Sequence, residues 1–88
     1  MATKSTKEKI ITLIPVDGPS QVLKDDQLDT MQGAVGGYVE VIRMGKGAVV
    51  LVNEEGLIHN LPFNPTGSRI VGQPVVGPVV VIQGNTNW

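Results

Sequence analysis

The chain has 88 residues, a formal net charge of −1 and a pI near 5.6, which is enough sequence for one domain and too little for two. It contains no Cys and one His, which excludes disulfides and disfavours a zinc site with nitrogen and sulfur ligands. Because small domains without such staples are often marginal alone, we expect a homo-oligomer.

The distribution of charge argues against nucleic acid as a partner. From Ile10 onward four basic residues stand against seven acidic ones, so this part carries a charge of −3, whereas duplex-binding domains present a basic face. Three aromatic residues are too few for a platform that stacks single strands.

Apolar runs of four or five residues are far shorter than the roughly 20 that span a bilayer. We therefore expect no membrane segment or signal peptide, and a cytoplasmic location.

The first elements predicted along the chain are a strand and a second, short strand that runs back beside it. Residues 1–9 are polar and contain three lysines, and we expect a disordered lead. Residues 10–14 are β-branched and apolar, which predicts a strand that Pro15 ends. Turn chemistry follows at residues 17–20, and residues 21–23 fit a short return strand.

A helix is predicted next. Two acidic residues at 25–26 suit a helix N-terminus, because they cap free N–H groups and complement the helix dipole. Leu28, Met31 and Val35 recur at helical spacing and predict one buried face. The glycines at 36–37 end the helix, since glycine adopts the left-handed conformation at no steric cost.

A hairpin is predicted after the helix. Residues 38–44 alternate and predict a strand, residues 45–47 form its loop, and residues 48–52 form the partner strand. A turn at residues 53–56 then leads to a third short strand at residues 57–61. The three strands make an antiparallel meander.

The last part of the chain is rich in proline and glycine. Residues 62–67 predict an extended surface loop, because two prolines in four positions break regular structure. The apolar residues between 70 and 82 predict a bent, partly edge-like strand, and residues 84–88 a polar tail. Residues 10–83 are thus predicted to form one α+β domain with four or five mostly antiparallel strands and one short helix packed on them.

Three groups of residues carry a family resemblance: 31–41, 52–56 with 61–65, and 70–72 with 77–81. Their order and spacing over residues 10–82 resemble a family of small proteins known as domain of unknown function 3846, which occurs in bacteria, plasmids and especially phages. The resemblance implies a helical stretch after Asn64, from which the proline- and glycine-rich sequence departs. It implies no activity.

Three features invite a chemical interpretation, and each has a simpler one. The glycines at 36–37 suggest a phosphate loop, but such glycines precede a helix and these follow one, which favours a helix stop. The turn at residues 53–56 suggests a metal or acid site, but adjacent carboxylates lack convergent geometry, which favours a solvated turn. His59 has no nucleophile or metal partner at a recognisable spacing. We therefore predict no catalytic residue, no metal ligand and no cofactor.

Two other features are better candidates for binding. Glu40 stands between apolar strand residues, either on a solvated face or as a polar group that binds a ligand or pairs with Arg43 or Arg69. The loop up to Arg69 is dense in hydrogen-bonding groups, and a guanidinium suits phosphate or carboxylate; the alternative is a solvated loop. The candidate ligand-binding residues are Tyr38, Glu40, Asn60, Asn64, Thr66 and Arg69.

The absence of a catalytic pattern predicts a non-enzymatic binding module. With the resemblance, it suggests a phage or mobile-element accessory protein that binds a host protein or sequesters a small anionic, nucleotide-like ligand. One alternative is a structural or assembly protein whose valine-rich C-terminal block is a subunit interface. A second is a small enzyme that uses Glu40, Glu54 or His59.

Overall fold

Within residues 9–45 and 47–88, which a computed structural model describes, five antiparallel strands and two short helices form the fold. Their bounds in chain order are β1 Lys9–Ile14, β2 Gln21–Val22, α1 Leu28–Val35, β3 Val39–Gly45, β4 Ala48–Asn53, α2 Pro65–Val71 and β5 Val79–Gly84. The strands make one sheet in the order β2-β1-β5-β4-β3. The predicted α+β class is confirmed, with one more helix than predicted. Of the disordered lead predicted for residues 1–9, residues 1–8 lie outside the described residues, as does the loop residue Lys46. The prediction is wrong at Lys9, which is the first residue of β1 and pairs with Gly84.

Both faces of the sheet carry core residues, because the central strands are apolar on both sides. One face, which we call the helix face, packs against α1 around a buried cluster: Ile11, Met31, Val35, Val49, Leu51, Val80 and Ile82. The other, which we call the groove face, has a smaller buried cluster: Ile14, Val50, Val52, Val75 and Val79. None of the helices in the described part of the chain is long and apolar enough to cross a membrane.

β5 is a central strand. The prediction of a bent, edge-like strand over residues 70–82 is wrong, because its first part belongs to α2 and β5 pairs with both β1 and β4. Pro78 lies just before the strand, where its missing N–H removes no ladder hydrogen bond. Val79, Val80 and Ile82 have no exposed surface. These three residues of the valine-rich C-terminal block therefore lie in the core of the fold.

α2 begins inside the segment predicted as a loop. Asn64 is its N-cap, and the Asn64 side chain accepts a hydrogen bond from the Gly67 N–H at 2.8 Å. Pro65 occupies the first turn, where a helix needs no N–H, and Gly72 ends the helix with a φ of 86°. The loop prediction for residues 62–67 is thus wrong beyond Asn64. The helical stretch implied by the family resemblance is present.

The third strand predicted for residues 57–61 is also wrong, because residues 54–60 form successive turns. The N–H of His59 donates to the carbonyl of Glu55 at 3.0 Å, within the segment rather than to a neighbouring strand. Asn60 has a φ of 56°, a left-handed conformation that asparagine tolerates. The segment therefore projects from the end of β4 as a compact turn.

α1 ends where it is predicted to end. Gly36, with a φ of 84°, donates its N–H to the carbonyl of Gln32 at 2.9 Å, which makes it a helix stop. Met31 and Val35 are buried against the sheet, as predicted. Leu28 is 53% exposed, so the predicted apolar face is wrong at that position.

The two aspartates before α1 do not cap it. The N-cap is Gln27, whose side chain makes no capping hydrogen bond. Asp25 instead accepts the Gln27 N–H at 3.0 Å. Hydrogen bonds from Thr30 and from that N–H hold the pKa of Asp25 below its usual value.

Asp26 connects β1 to the residues that follow β5. Its carboxylate accepts hydrogen bonds from Lys9 at 2.9 Å and from the Thr86 hydroxyl at 2.7 Å. Burial alone would raise the pKa of Asp26, but these two hydrogen bonds and the positive charge of Lys9 together lower it. The indole of Trp88 donates to the Asp26 carbonyl at 2.6 Å and packs against the helix-face core. Residues 84–88, predicted as a polar tail, therefore lie against the fold.

Gly33→Ala should raise the free energy of unfolding by about 0.5–1 kcal/mol, because alanine is the better helix former. Gly33 is exposed in α1, and a Cβ there would meet nothing within 4 Å. Urea unfolding measures the change. Gly37→Ala is the matched control and should destabilise, since its Cβ would lie 2.9 Å from the Asn53 amide nitrogen. An unchanged or lowered urea midpoint for G33A would contradict the prediction.

Candidate binding groove

A groove of about 440 Å³ lies on the groove face of the sheet, and we call it the Glu40 groove. Its floor contains Glu40 and Ile42 of β3 and Val52 of β4. Residues 53–58 form one wall and residues 73–76 the other. The groove therefore brings together three parts of the chain that are distant in sequence.

The register of the hairpin places the floor residues. Glu40 pairs with Val52 and Ile42 pairs with Val50, so their side chains share the groove face. Ile42 and Met44 pack against the buried cluster of this face but stay partly exposed. The groove face is thus less completely covered near β3 than near β5.

Asn53 holds the first wall in place. Its side-chain oxygen accepts the Glu55 N–H at 2.7 Å, and its amide nitrogen donates to the Val35 carbonyl at 3.1 Å. Gly56 brings this wall against the other, because a Cβ on Gly56 would lie only 2.7 Å from the Val76 side chain. The shape of the groove therefore depends on a buried asparagine and on a glycine without a side chain.

The rim of the groove is apolar. Leu57 is 79% exposed and Ile58 is 76% exposed, and both line the groove. Large apolar residues that are adjacent and exposed at a concave surface are typical of an interaction site. Val75, on the opposite wall, supplies buried apolar surface at the same place.

The groove is also acidic. Glu40, Glu54 and Glu55 line it, and no described lysine or arginine does. Glu55 approaches His59 at 3.2 Å, an ion pair only when the histidine is protonated. The groove therefore offers carboxylates next to apolar surface, which suits a ligand with an apolar part and a positive charge.

Glu40 forms no ion pair with Arg43 or Arg69 within the described residues. Arg43 lies at an alternate position of β3 and so on the opposite face of the sheet. Its guanidinium donates to the Trp88 carbonyl at 2.7 Å. Glu40 is instead exposed in the floor of the groove, where a ligand can reach it.

The remaining candidate residues lie in several places. Tyr38 lines a smaller depression of about 200 Å³ beside the groove, and Asn53 and Glu55 line both. Asn60 is exposed in the turn segment, while Thr66 and Arg69 are exposed on α2. These three residues do not line the Glu40 groove.

Asn64 is fully buried and its side chain serves the fold. Its amide nitrogen donates to the carbonyl of Ile14 at 3.0 Å and to the carbonyl of Gly77 at 2.9 Å. Its oxygen accepts the Gly67 N–H. Because both amide N–H groups and the oxygen are used in this way, we leave Asn64 out of the site proposed below.

Leu57 and Ile58 are the site residues that the sequence interpretation does not include. Two adjacent large apolar residues in a strand would point to opposite faces of a sheet. A short strand at the end of a meander cannot readily bury both side chains. Two adjacent large apolar residues at this position are therefore the feature of the sequence that could have indicated an exposed apolar site. In the described residues, no group of three or more His, Asp or Glu side chains is arranged to hold a metal ion.

Comparison with known proteins gives one match. Residues 8–87 match the model of a family described as Domain of unknown function (DUF3846). The matched span includes every strand and helix of the fold, and the family resemblance found in the sequence is confirmed. No curated protein and no solved structure matches the chain.

Proposed function

Because this chain belongs to the DUF3846 family, whose description assigns no activity, we propose from its own surface that it is a non-enzymatic binding module. Its ligand is a segment of another protein that carries apolar and positively charged side chains. The observation that supports this is the Glu40 groove, in which exposed Leu57 and Ile58 lie beside carboxylates. The phage-leaning occurrence implied by the family resemblance suits an accessory protein that binds a host protein in the cytoplasm.

The apolar part of the groove provides the affinity. Burial of one valine- or leucine-sized side chain contributes about 1.5–3 kcal/mol. The groove volume of about 440 Å³ falls in the range of roughly 300–1,000 Å³ that is usual for ligand sites. One or two apolar side chains of a partner segment therefore fit the space between Leu57 and Val75.

The acidic part provides the selectivity. An exposed ion pair contributes only about 0.2–1 kcal/mol, so Glu40 and its neighbours discriminate between partners more than they hold them. The same carboxylates disfavour a phosphate or nucleotide in the groove. Arg69, the cation expected for such an anion, lies on α2 outside it. We therefore favour a protein partner over a small anionic ligand.

Glu40→Lys should weaken binding of the selected segments by about tenfold or more, because it turns an attraction into a repulsion at the groove floor. The ligands are random heptapeptides displayed on a surface and enriched against the purified chain. The expected consensus contains lysine or arginine next to apolar residues. Affinity is then measured by fluorescence polarisation for labelled copies of the enriched peptides.

Asp17→Lys is the matched control, since it changes the net charge equally at an exposed bend that does not line the groove. It should change affinity by less than about twofold, because solvent and salt screen an exposed charge that does not line the groove. Enrichment of acidic peptides, or of none, would overturn the proposed function. So would equal losses for Glu40→Lys and Asp17→Lys.

A further inference from the structure

We propose that the partner segment binds as an added strand on the outer edge of β3, an inference that rests on the proposed function of the Glu40 groove. β3 is the last strand of the sheet, and no described residue pairs with its outer edge. It is seven residues long, whereas the other edge strand, β2, has two. β3 is therefore the edge long enough to hold an added strand in register.

Alternate residues of β3 direct their backbone groups away from the sheet. The Glu54 N–H donates to the Tyr38 carbonyl at 2.8 Å, so the backbone of Tyr38 faces β4. Along an antiparallel strand the direction of these groups alternates. The outward positions are consequently Val39, Val41 and Arg43.

The far side of β4 gives the same alternation independently. The Gly84 N–H donates to the Gly47 carbonyl at 2.9 Å, which sets the β4 residues that bond toward β5. The intervening residues, Val50 and Val52, bond toward β3. Their β3 partners are the groove residues Ile42 and Glu40, whose backbone groups are thus occupied.

The edge and the groove are parts of one surface. A strand added to β3 places alternate side chains directly opposite Glu40 and Ile42, on the groove face and about 5 Å from them. Its other side chains lie opposite Val39 and Val41 on the helix face. The complementary segment therefore has a cation opposite Glu40, an apolar residue opposite Ile42 and a β-branched residue opposite Val41.

A second copy of this chain fits the edge less well. Symmetric pairing centred on Glu40 places two carboxylates directly opposite each other, which is destabilising. Pairing centred on Val41 places Glu40 opposite Ile42 of the other copy and supplies no cation, because Arg43 lies on the other face. Charge complementarity therefore selects a different protein that carries a lysine or arginine at the right position.

The probe peptide contains Thr-Val-Val-Lys-Val, which in antiparallel pairing runs opposite Arg43 to Val39. In this register the central valine exchanges hydrogen bonds with Val41, while its two neighbours direct their N–H groups outward. Methylation of the central amide nitrogen should weaken binding about tenfold or more, and methylation of either neighbouring nitrogen less than about threefold. Hydrogen exchange should show new protection of the Val39, Val41 and Arg43 amides.

The expected result is a large loss of affinity on methylation of the central nitrogen only, together with new protection of the three β3 amides from hydrogen exchange. Equal effects at all three nitrogens, or unchanged exchange at the β3 amides, overturn strand addition. If selected peptides still lose affinity with Glu40→Lys in that case, the groove remains the site and only the binding mode is wrong. Light scattering tests whether the chain forms a dimer through this edge. A dimer that Val41→Pro converts to a monomer, and that Val41→Ala leaves intact, would assign the edge of β3 to a second copy and would also overturn the proposal.

Discussion

Asn64→Ala should lower the free energy of unfolding by about 3–5 kcal/mol, a large part of the roughly 5–15 kcal/mol that stabilises a small domain. The substitution removes the hydrogen-bond partners of the carbonyls of Ile14 and Gly77 and of the Gly67 N–H. Each buried backbone group left without a partner costs about 1–3 kcal/mol. Asn64 has no exposed surface, so water does not replace these partners without a rearrangement of the fold.

The cost is large because Asn64 joins three elements. It caps α2, contacts the end of β1 through Ile14, and reaches the segment before β5 through Gly77. Alanine also leaves unfilled the volume of the removed amide. We therefore expect loss of α2 and of the second groove wall as one event rather than fraying of a single turn.

Asn64→Asp tests the direction of the hydrogen bonds with almost no change of shape. It replaces the donating nitrogen with an oxygen that faces two carbonyls, and it places a negative charge in a buried site. N64D should be at least as destabilising as N64A at neutral pH. Part of the stability should return as the pH falls, because the protonated acid can donate one hydrogen bond.

Urea unfolding followed by circular dichroism measures both variants. Asn87→Ala is the control, since Asn87 is exposed and follows the end of β5, whereas Asn64 contacts the segment before β5. The urea midpoint of this variant should equal that of the unsubstituted chain. A change of less than about 1 kcal/mol for Asn64→Ala would show that the three backbone groups find other partners.

The elements up to β4 are largely predictable from sequence because local and global preferences agree there. β-branched runs form β1 and β4, and the glycine after Val35 ends α1 in the conformation that glycine favours. The central position of β5 is less predictable, since prolines and glycines precede it. Its place between β1 and β4 is decided by pairing with residues far away in sequence.

The start of α2 shows why local signals fail. Pro65 after Asn64 fits both a loop and a capped helix, because proline suits the first turn of a helix as well as an extended segment. Three hydrogen bonds of the buried Asn64 side chain decide between them, and two reach Ile14 and Gly77. A single sequence does not reveal those contacts.

The candidate site was predictable to the same limited degree. Glu40 stands out in the sequence because it interrupts an apolar strand, and the structure places it in the floor of the groove. Leu57 and Ile58 look like strand residues, and their exposure depends on the turns that follow β4. The close approach of Gly56 to Val76, which shapes the groove, joins positions 20 residues apart.

Asn53→Ala should lower the free energy of unfolding by about 2–3 kcal/mol and weaken peptide binding at the Glu40 groove. Asn53 is buried and donates to the carbonyl of Val35, one of the groups that α1 leaves unpaired at its end. It also accepts the Glu55 N–H, which begins the turns of the first groove wall. The two hydrogen bonds therefore have separable effects, one on the joint between α1 and β4 and one on the wall.

Asn53→Asp separates them. The carboxylate keeps an acceptor for the Glu55 N–H but lacks the donor for the Val35 carbonyl, and its charge lies near the negative end of α1. N53D should therefore lose as much stability as N53A, as measured by urea unfolding, and yet bind the enriched peptides within about threefold of the unsubstituted chain. N53A should bind at least about tenfold more weakly, because its wall is no longer held. Binding is compared at a temperature where both variants are folded. Equal losses of affinity for N53A and N53D would mean that the Glu55 hydrogen bond does not shape the groove. The wall would then depend on the contact of Gly56 with Val76.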